Sequence, residues 1–154
     1  MSVETVNALD AVPWSRLLRD IRNRQVLPIV GPGLVTVEDG RGGEVPYVRA
    51  LAPRLAARLG VDGVETGSLN RVAGAHLMRR GKRKDIYEEL RELVELDERL
   101  PVPAGLAELA AIRDFDLFVT SSFDPFLARA LRQCRPGYKA DAKGLAAFHP
   151  SRRV

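Results

Sequence analysis

Val26-Leu27-Pro28-Ile29-Val30-Gly31-Pro32-Gly33-Leu34 is the stretch on which the fold of this chain turns. A short apolar run that halts at Gly-Pro-Gly has the form of a buried strand ending in a sharp turn. Upstream of it the period is different. Trp14, Leu17, Leu18 and Ile21 recur at helical spacing, with Ser15 and arginines on the other face, which predicts an amphipathic helix over about 13–24.

Downstream, 37–46 carries Gly40, Gly42 and Gly43 among charges and predicts an exposed hairpin or mobile loop rather than a core element. A helical insertion then runs over about 47–112. Its first helix has Tyr47, Ala50, Leu51, Leu55 and Leu59 on one face, with Gly60 placed to end it. Pro53 should kink that helix or mark a restart. Two further helices are marked by Leu69, Val72, Ala73, His76 and Leu77, and by Ile86, Leu90, Leu93 and Val94. Pro101 and Pro103 punctuate the chain before a short helix over about 104–112.

A second strand follows. Phe115-Asp116-Leu117-Phe118-Val119-Thr120 is aromatic and β-branched, and it ends in the polar cluster Thr120-Ser121-Ser122. Pro125 then stands near the start of a helix with Leu127, Ala130 and Leu131. Two strands joined by long helical connections predict an α/β fold with an open parallel sheet. Two strands do not complete such a sheet, so the chain reads as the front part of a larger domain. No repeat, low-complexity tract or dividing linker interrupts it.

Composition narrows the classes. The 154 residues are 45% hydrophobic and 29% charged, which suits one globular domain and disfavours disordered, collagen-like and disulfide-stapled chains. A single cysteine, Cys134, closes no internal disulfide and builds no four-cysteine zinc site, so an intracellular, cytoplasmic chain without zinc or another metal is expected. No apolar run reaches the roughly 20 residues that span a bilayer, and the start of the chain lacks a basic, then apolar leader.

The net charge of +4 is unevenly placed. From Pro125 onward Arg129, Arg132, Arg135, Lys139, Lys143, Arg152 and Arg153 stand against Asp141 alone, leaving the first 124 residues at −2. The other basic run, Arg79 to Lys84, passes at once into Asp85, Glu88, Glu89 and Glu92. Such interspersed charge marks a solvated helix face and disfavours a nucleic-acid partner.

Two turns hold the candidate chemistry. Gly31-Pro32-Gly33-Leu34, at the carboxyl end of the first strand, lets backbone approach a phosphate and offers amide donors to it, although neither a Gly-x-Gly-x-x-Gly fingerprint nor a Gly-Lys-Ser/Thr loop is present. Thr120-Ser121-Ser122-Phe123-Asp124 ends the second strand, where ligands sit in open α/β sheets; its hydroxyls and carboxylate can contact a ribose or orient a water. The plain alternative is that Ser122 or Asp124 caps the following helix. His76, among Val72, Ala73 and Leu77, reads as a partly buried helical residue. Cys134, with no histidine nearby in sequence, reads as structural.

Together, a Trp-containing helix, Leu-Pro-Ile-Val-Gly-Pro-Gly-Leu, a helical insertion with Ile86-Tyr87, and Phe-Asp-Leu-Phe-Val-Thr-Ser-Ser-Phe-Asp-Pro-Phe-Leu resemble the sirtuin-like superfamily in its bacterial immunity branch, over about 14–131. The resemblance implies a Rossmann-like sheet binding NAD, with a Gly-Ala-Gly-x-Ser turn and a Thr-x-Asn-x-Asp segment lining the nicotinamide ribose. On that pattern Gly31 and Gly33 match the glycines, Thr120 the threonine and Asp124 the aspartate. Gly31, Pro32, Gly33, Leu34, Thr120, Ser122 and Asp124 then become the nucleotide-binding set, with Ser122 and Asp124 as the catalytic pair.

The departures are specific. Pro32 replaces alanine and has no N–H, Val35 stands at the serine position, and Ser122 stands where an asparagine amide would hold a ribose or position water. The family's histidine base has a poor counterpart in His149, which Pro150 follows instead of glycine. The lone cysteine removes the zinc ribbon of the deacylases. The resemblance therefore implies an NAD-type nucleotide-binding module of a bacterial defence or signalling protein, fused to or partnered with a sensor or effector domain. It would cleave NAD to nicotinamide and ADP-ribose in its full-length context. The alternatives are an inactive scaffold, self-assembling as a homo-oligomer, or a sensor of an ADP-ribose-like nucleotide.

Overall fold

A computed structural model describes residues 12–63 and 66–136. In chain order the elements are α1 (Trp14–Arg22), β1 (Ile29–Val30), β2 (Thr36–Glu38), β3 (Glu44–Pro46), α2 (Tyr47–Arg58), α3 (Leu69–Met78), α4 (Arg83–Leu96), α5 (Ala104–Ala111), β4 (Val119–Thr120) and α6 (Phe126–Cys134). Single 3-10 turns occupy Pro32–Leu34 and Asp97–Arg99. The chain is thus mixed α/β, with six helices among the described residues. β1 and β4 form a two-stranded parallel sheet with Ile29 beside Val119 and Val30 beside Thr120.

Both predicted buried strands are shorter and more open than their sequences suggest. Of 26–30 only Ile29–Val30 pairs, and of 115–120 only Val119–Thr120. Pro28 accepts the Val119 N–H at 3.0 Å but has no N–H to return, so it cannot extend the ladder as a donor. The two faces also differ. Val30 is 3% exposed and joins the core, whereas Ile29 is 72% exposed and its neighbour Val119 40%.

The core is built around α2, whose Tyr47, Leu51, Ala52, Leu55 and Ala56 are all buried. Val72 of α3, Leu93 of α4, Leu106 and Ala110 of α5, and Phe126, Leu127, Ala130 and Leu131 of α6 join it, with Val30, Val35 and Val61 from the connecting segments and β1. Ala110 and Ala130 are fully enclosed where α5 meets α6, and small side chains there allow close helix approach. α2 runs through Pro53 without a restart; Pro53 is exposed, so the carbonyl it leaves without a donor can face water. Gly60 ends α2 as expected. At φ +61° it donates to Ala57 O, and Val61 N–H reaches back to Ala56 O at 2.9 Å while its side chain is buried, a Schellman closure.

The segment 37–46 forms a hairpin, with β2 and β3 antiparallel and Val37 opposite Val45. Asp39 Oδ1 accepts the N–H groups of Arg41 and Gly43 at the turn, and these bonds hold its carboxyl below the usual carboxylate range. The hairpin is not wholly peripheral. Val37 packs on the core, and Tyr47 N–H donates to the buried Val35 at 2.8 Å.

α1 forms where its period predicts, yet none of its residues is buried. Among the described residues no helix is long and apolar enough to cross a membrane.

Candidate functional site

The parallel register of β1 and β4 places the two candidate turns side by side. Ser121 N–H donates to Val30 O at 3.0 Å, and a Cβ on Gly31 would sit 3.8 Å from Ser121 Oγ. Residues 90 apart in sequence are thereby neighbours at the carboxyl ends of adjacent parallel strands, where open α/β sheets take their ligands.

Within the first turn, Leu34 N–H goes to Gly31 O and Val35 N–H to Pro32 O, both at 3.3 Å. Pro32 has no N–H, so only the Gly31 and Gly33 amides remain for an anion. A Cβ on Gly33 would meet nothing within 4 Å, so there is open space above the turn for an approaching phosphate. The Leu34 side chain leans on the start of α5, and a Cβ on Gly105 would come within 3.2 Å of its Cδ1. Leu34 touches α5 there and is otherwise 40% exposed beside the turn.

The second turn is a relay of local hydrogen bonds. Thr120 Oγ1 accepts Ser122 N–H at 3.1 Å. Ser122 Oγ donates to Asp124 Oδ2 in a short contact, and Asp124 Oδ1 accepts Phe126 N–H at 3.0 Å. Asp124 thus satisfies one of the unpaired amides at the start of α6, and Ser122 braces the carboxylate that does so. The capping alternative describes this geometry well. Neither oxygen of Asp124 is left without a donor, and the Ser122 hydroxyl proton is directed at Asp124.

Beneath the turn is a buried polar cluster that sequence spacing did not reveal. Tyr47 Oη donates to Asp97 Oδ2 at 2.9 Å, and Arg54 Nη1 donates to the same oxygen at 2.7 Å. The Tyr47 ring meets Phe126 edge to face at 5.1 Å. Burial, then the hydrogen bond and charge of Asp97, push the Tyr47 phenol far above its ordinary value, and the Asp124 carboxylate adds to the shift. A tyrosine in an apolar helical pattern carries no signal of a partner 50 residues away.

The remaining polar candidates have structural partners. His76 Nε2 lies 3.3 Å from Asp85 Oδ2, at the junction of α3 and α4. The Lys82 N–H, and secondarily His76, hold the Asp85 carboxyl below its usual range. Cys134 Sγ donates to Ala107 O at 3.5 Å and packs against the core. Part of the basic count after Pro125 is turned inward. Arg129 donates to Leu100 O, and Arg135 to the carbonyls of Ala110 and Ile112 at the end of α5 and of Phe115 beyond it. His149 and the cations beyond Arg135 lie outside the described residues. Among the described residues no cluster of histidine, cysteine and carboxylate side chains is arranged to hold a metal.

No family model, curated protein or solved structure matches the chain.

Proposed function

We propose that the chain is a sirtuin-like module of a bacterial defence or signalling protein. It takes NAD or an ADP-ribose-like nucleotide across the carboxyl ends of β1 and β4, and it acts as a binding or sensing element. The observation that carries this reading is the adjacency of Gly31 and Ser121, which brings an open glycine turn against a hydroxyl-rich turn. Gly31 and Gly33 would receive phosphate through backbone amides, and Thr120 and Ser122 would face the ribose.

The Rossmann-like part of the proposal draws on the open face of the sheet. Parallel sheets are covered on both faces, and the exposed Ile29 and Val119 pair is what such a sheet presents before its second layer is added. Binding is favoured over turnover because Asp124 is engaged in capping α6 and braced by Ser122.

Calorimetric titration with NAD and ADP-ribose, with chromatography of the same samples for nicotinamide, tests the proposal. Binding without nicotinamide release, lost in Gly33→Val, is the expected result. Nicotinamide release abolished by Asp124→Asn would replace the sensing role with NAD glycohydrolysis. Equal affinity in wild type and Gly33→Val would remove the turn from the site.

A further inference from the structure

Next to the loop after β4, α4 presents an outer stripe that the core does not use. Leu93 is buried and Ile86 packs on the core, whereas Arg83, Tyr87 and Arg91 are exposed. A cavity of about 310 Å³ opens on this side, lined by Tyr87, Leu90, Arg91 and Val94 together with Glu95 and Phe123, and a second of about 320 Å³ adjoins it across Tyr87 and Phe123 to make one groove. The first four of those residues stand at i, i+3, i+4 and i+7 of the helix. Four residues so spaced form the hole into which a side chain of a facing helix inserts when two helices pack side by side.

The same stripe carries a projection that suits the hole. Tyr87 is 59% exposed, and its ring stacks on no other aromatic ring among the described residues. Charge also changes sign along the stripe. The approach to α4 carries Arg79, Arg80, Lys82 and Arg83, and its far end carries Glu92, Glu95 and Glu98. Arg83 makes no ion pair among the described residues, and Glu95, 63% exposed, pairs with Arg91 of its own helix.

We infer that this stripe is the interface of a two-fold dimer, in which α4 of one copy packs antiparallel on α4 of a second copy and each Tyr87 enters the hole of the other. The occupant is a second copy because the surface is complementary to itself. An antiparallel pair sets the basic end of each helix against the acidic end of the other, and the two-fold axis repeats every contact, whereas a parallel pair would oppose Arg83 to Arg83. The register follows from the hole. With Tyr87 seated between Leu90 and Arg91 of the second copy, Arg83 lies one turn earlier and arrives beside Val94 and Glu95 of that copy. Each Arg83 thereby gains the carboxylate it lacks within its own chain. Each Arg91 comes to lie over Tyr87 of the other copy, where a guanidinium is attracted to the aromatic face. A single helix pair is a small interface, so the dimer dissociates in the micromolar range. It needs no nucleotide at the neighbouring turns.

Sedimentation equilibrium of the full chain, from low micromolar to submillimolar concentration, tests the dimer with wild type, Tyr87→Ala, Arg83→Glu, Glu95→Arg and Ile29→Ser. All four positions are exposed, and a thermal melt of each variant establishes that the fold is kept. Wild type should form a dimer, and Tyr87→Ala should weaken it by about tenfold or more, the scale of a buried aromatic anchor. Arg83→Glu and Glu95→Arg should each be monomeric alone, because each opposes like charges at both ends of the interface. Mixed in equal amounts, these two chains should associate, since each reversed residue then meets its complement. A wild type that stays monomeric throughout overturns the inference, as does a dimer that Tyr87→Ala leaves intact. A dimer lost in Ile29→Ser alone overturns it by moving the association to the open face of the sheet. Failure of the two reversed chains to associate on mixing overturns the antiparallel pairing.

Discussion

Asp124 Oδ1 accepts the backbone N–H of Phe126 at 3.0 Å, so the carboxylate that the family resemblance assigns to a ribose also holds the first amide of α6. Its dual position means that loss of binding in an alanine variant is ambiguous unless stability is measured as well.

Asp124→Ala should lower stability by about 1 kcal/mol without any ligand, the ordinary cost of removing a side-chain cap. Asp124→Asn keeps an acceptor and should lose less than half as much. Urea unfolding of the two variants checks this. Equal losses would show that the charge, and not the cap, is what matters at this position.

Tyr47 makes stability depend on alkaline pH. Its phenol is held protonated in the folded chain by burial and by Asp97, while in the unfolded chain it ionises at its ordinary value. The folded state therefore binds the proton more tightly, and this contribution is fully present below about pH 10. Above that pH it declines toward the higher folded value, by up to about 1.4 kcal/mol per pH unit. Tyr47→Phe should remove this component of the pH slope in urea titrations between about pH 9 and 11. The same variant should cost about 1–3 kcal/mol at neutral pH, because the buried Asp97 loses a donor. A slope identical to wild type would contradict the assignment.

Gly81 is held free of a side chain by His76, since a Cβ there would overlap the imidazole. Gly81→Ala should therefore displace the ring from Asp85 and cost about 1–2 kcal/mol. Adding His76→Ala to that variant should recover part of the loss. A double-mutant cycle on thermal or urea stability reads the coupling, and additive losses would exclude the overlap as the cause.

The two faces of β1 should respond oppositely. Ile29→Ser, on the open face, should change the stability of the chain by less than about 0.5 kcal/mol. Val30→Ala should cost about 2 kcal/mol, since it removes two buried carbon groups from the core. Denaturant titration of both variants tests the contrast. A large loss in Ile29→Ser would mean that this face is already covered in solution.

The helices were legible because their causes are local. The recurrence of Leu51 and Leu55, or of Leu127 and Leu131, declares a face, and Gly60 ends α2 through a backbone conformation that favours glycine. For 37–46 the glycines and charges left a hairpin and a mobile loop open, and the structure forms the hairpin and packs its Val37 on the core. The strands were harder. Leu27, Leu117 and Ile29 look as apolar as Val30, and nothing in their identity tells which of them meets a neighbour.

By itself the sequence determined the order and type of the elements, and it placed a glycine turn and a hydroxyl cluster at the ends of two strands. Propensity, period and capping act over a few residues, so they can be read along the chain. Only the tertiary structure decided that these turns are adjacent, that Asp124 is committed to α6, and that Tyr47 finds Asp97. It also decided that one face of the parallel pair stays open while Tyr87 and Phe123 border a shared groove. Each of these depends on which group lies across the fold to satisfy a hydrogen bond or exclude water, and that partner is set by packing between distant segments.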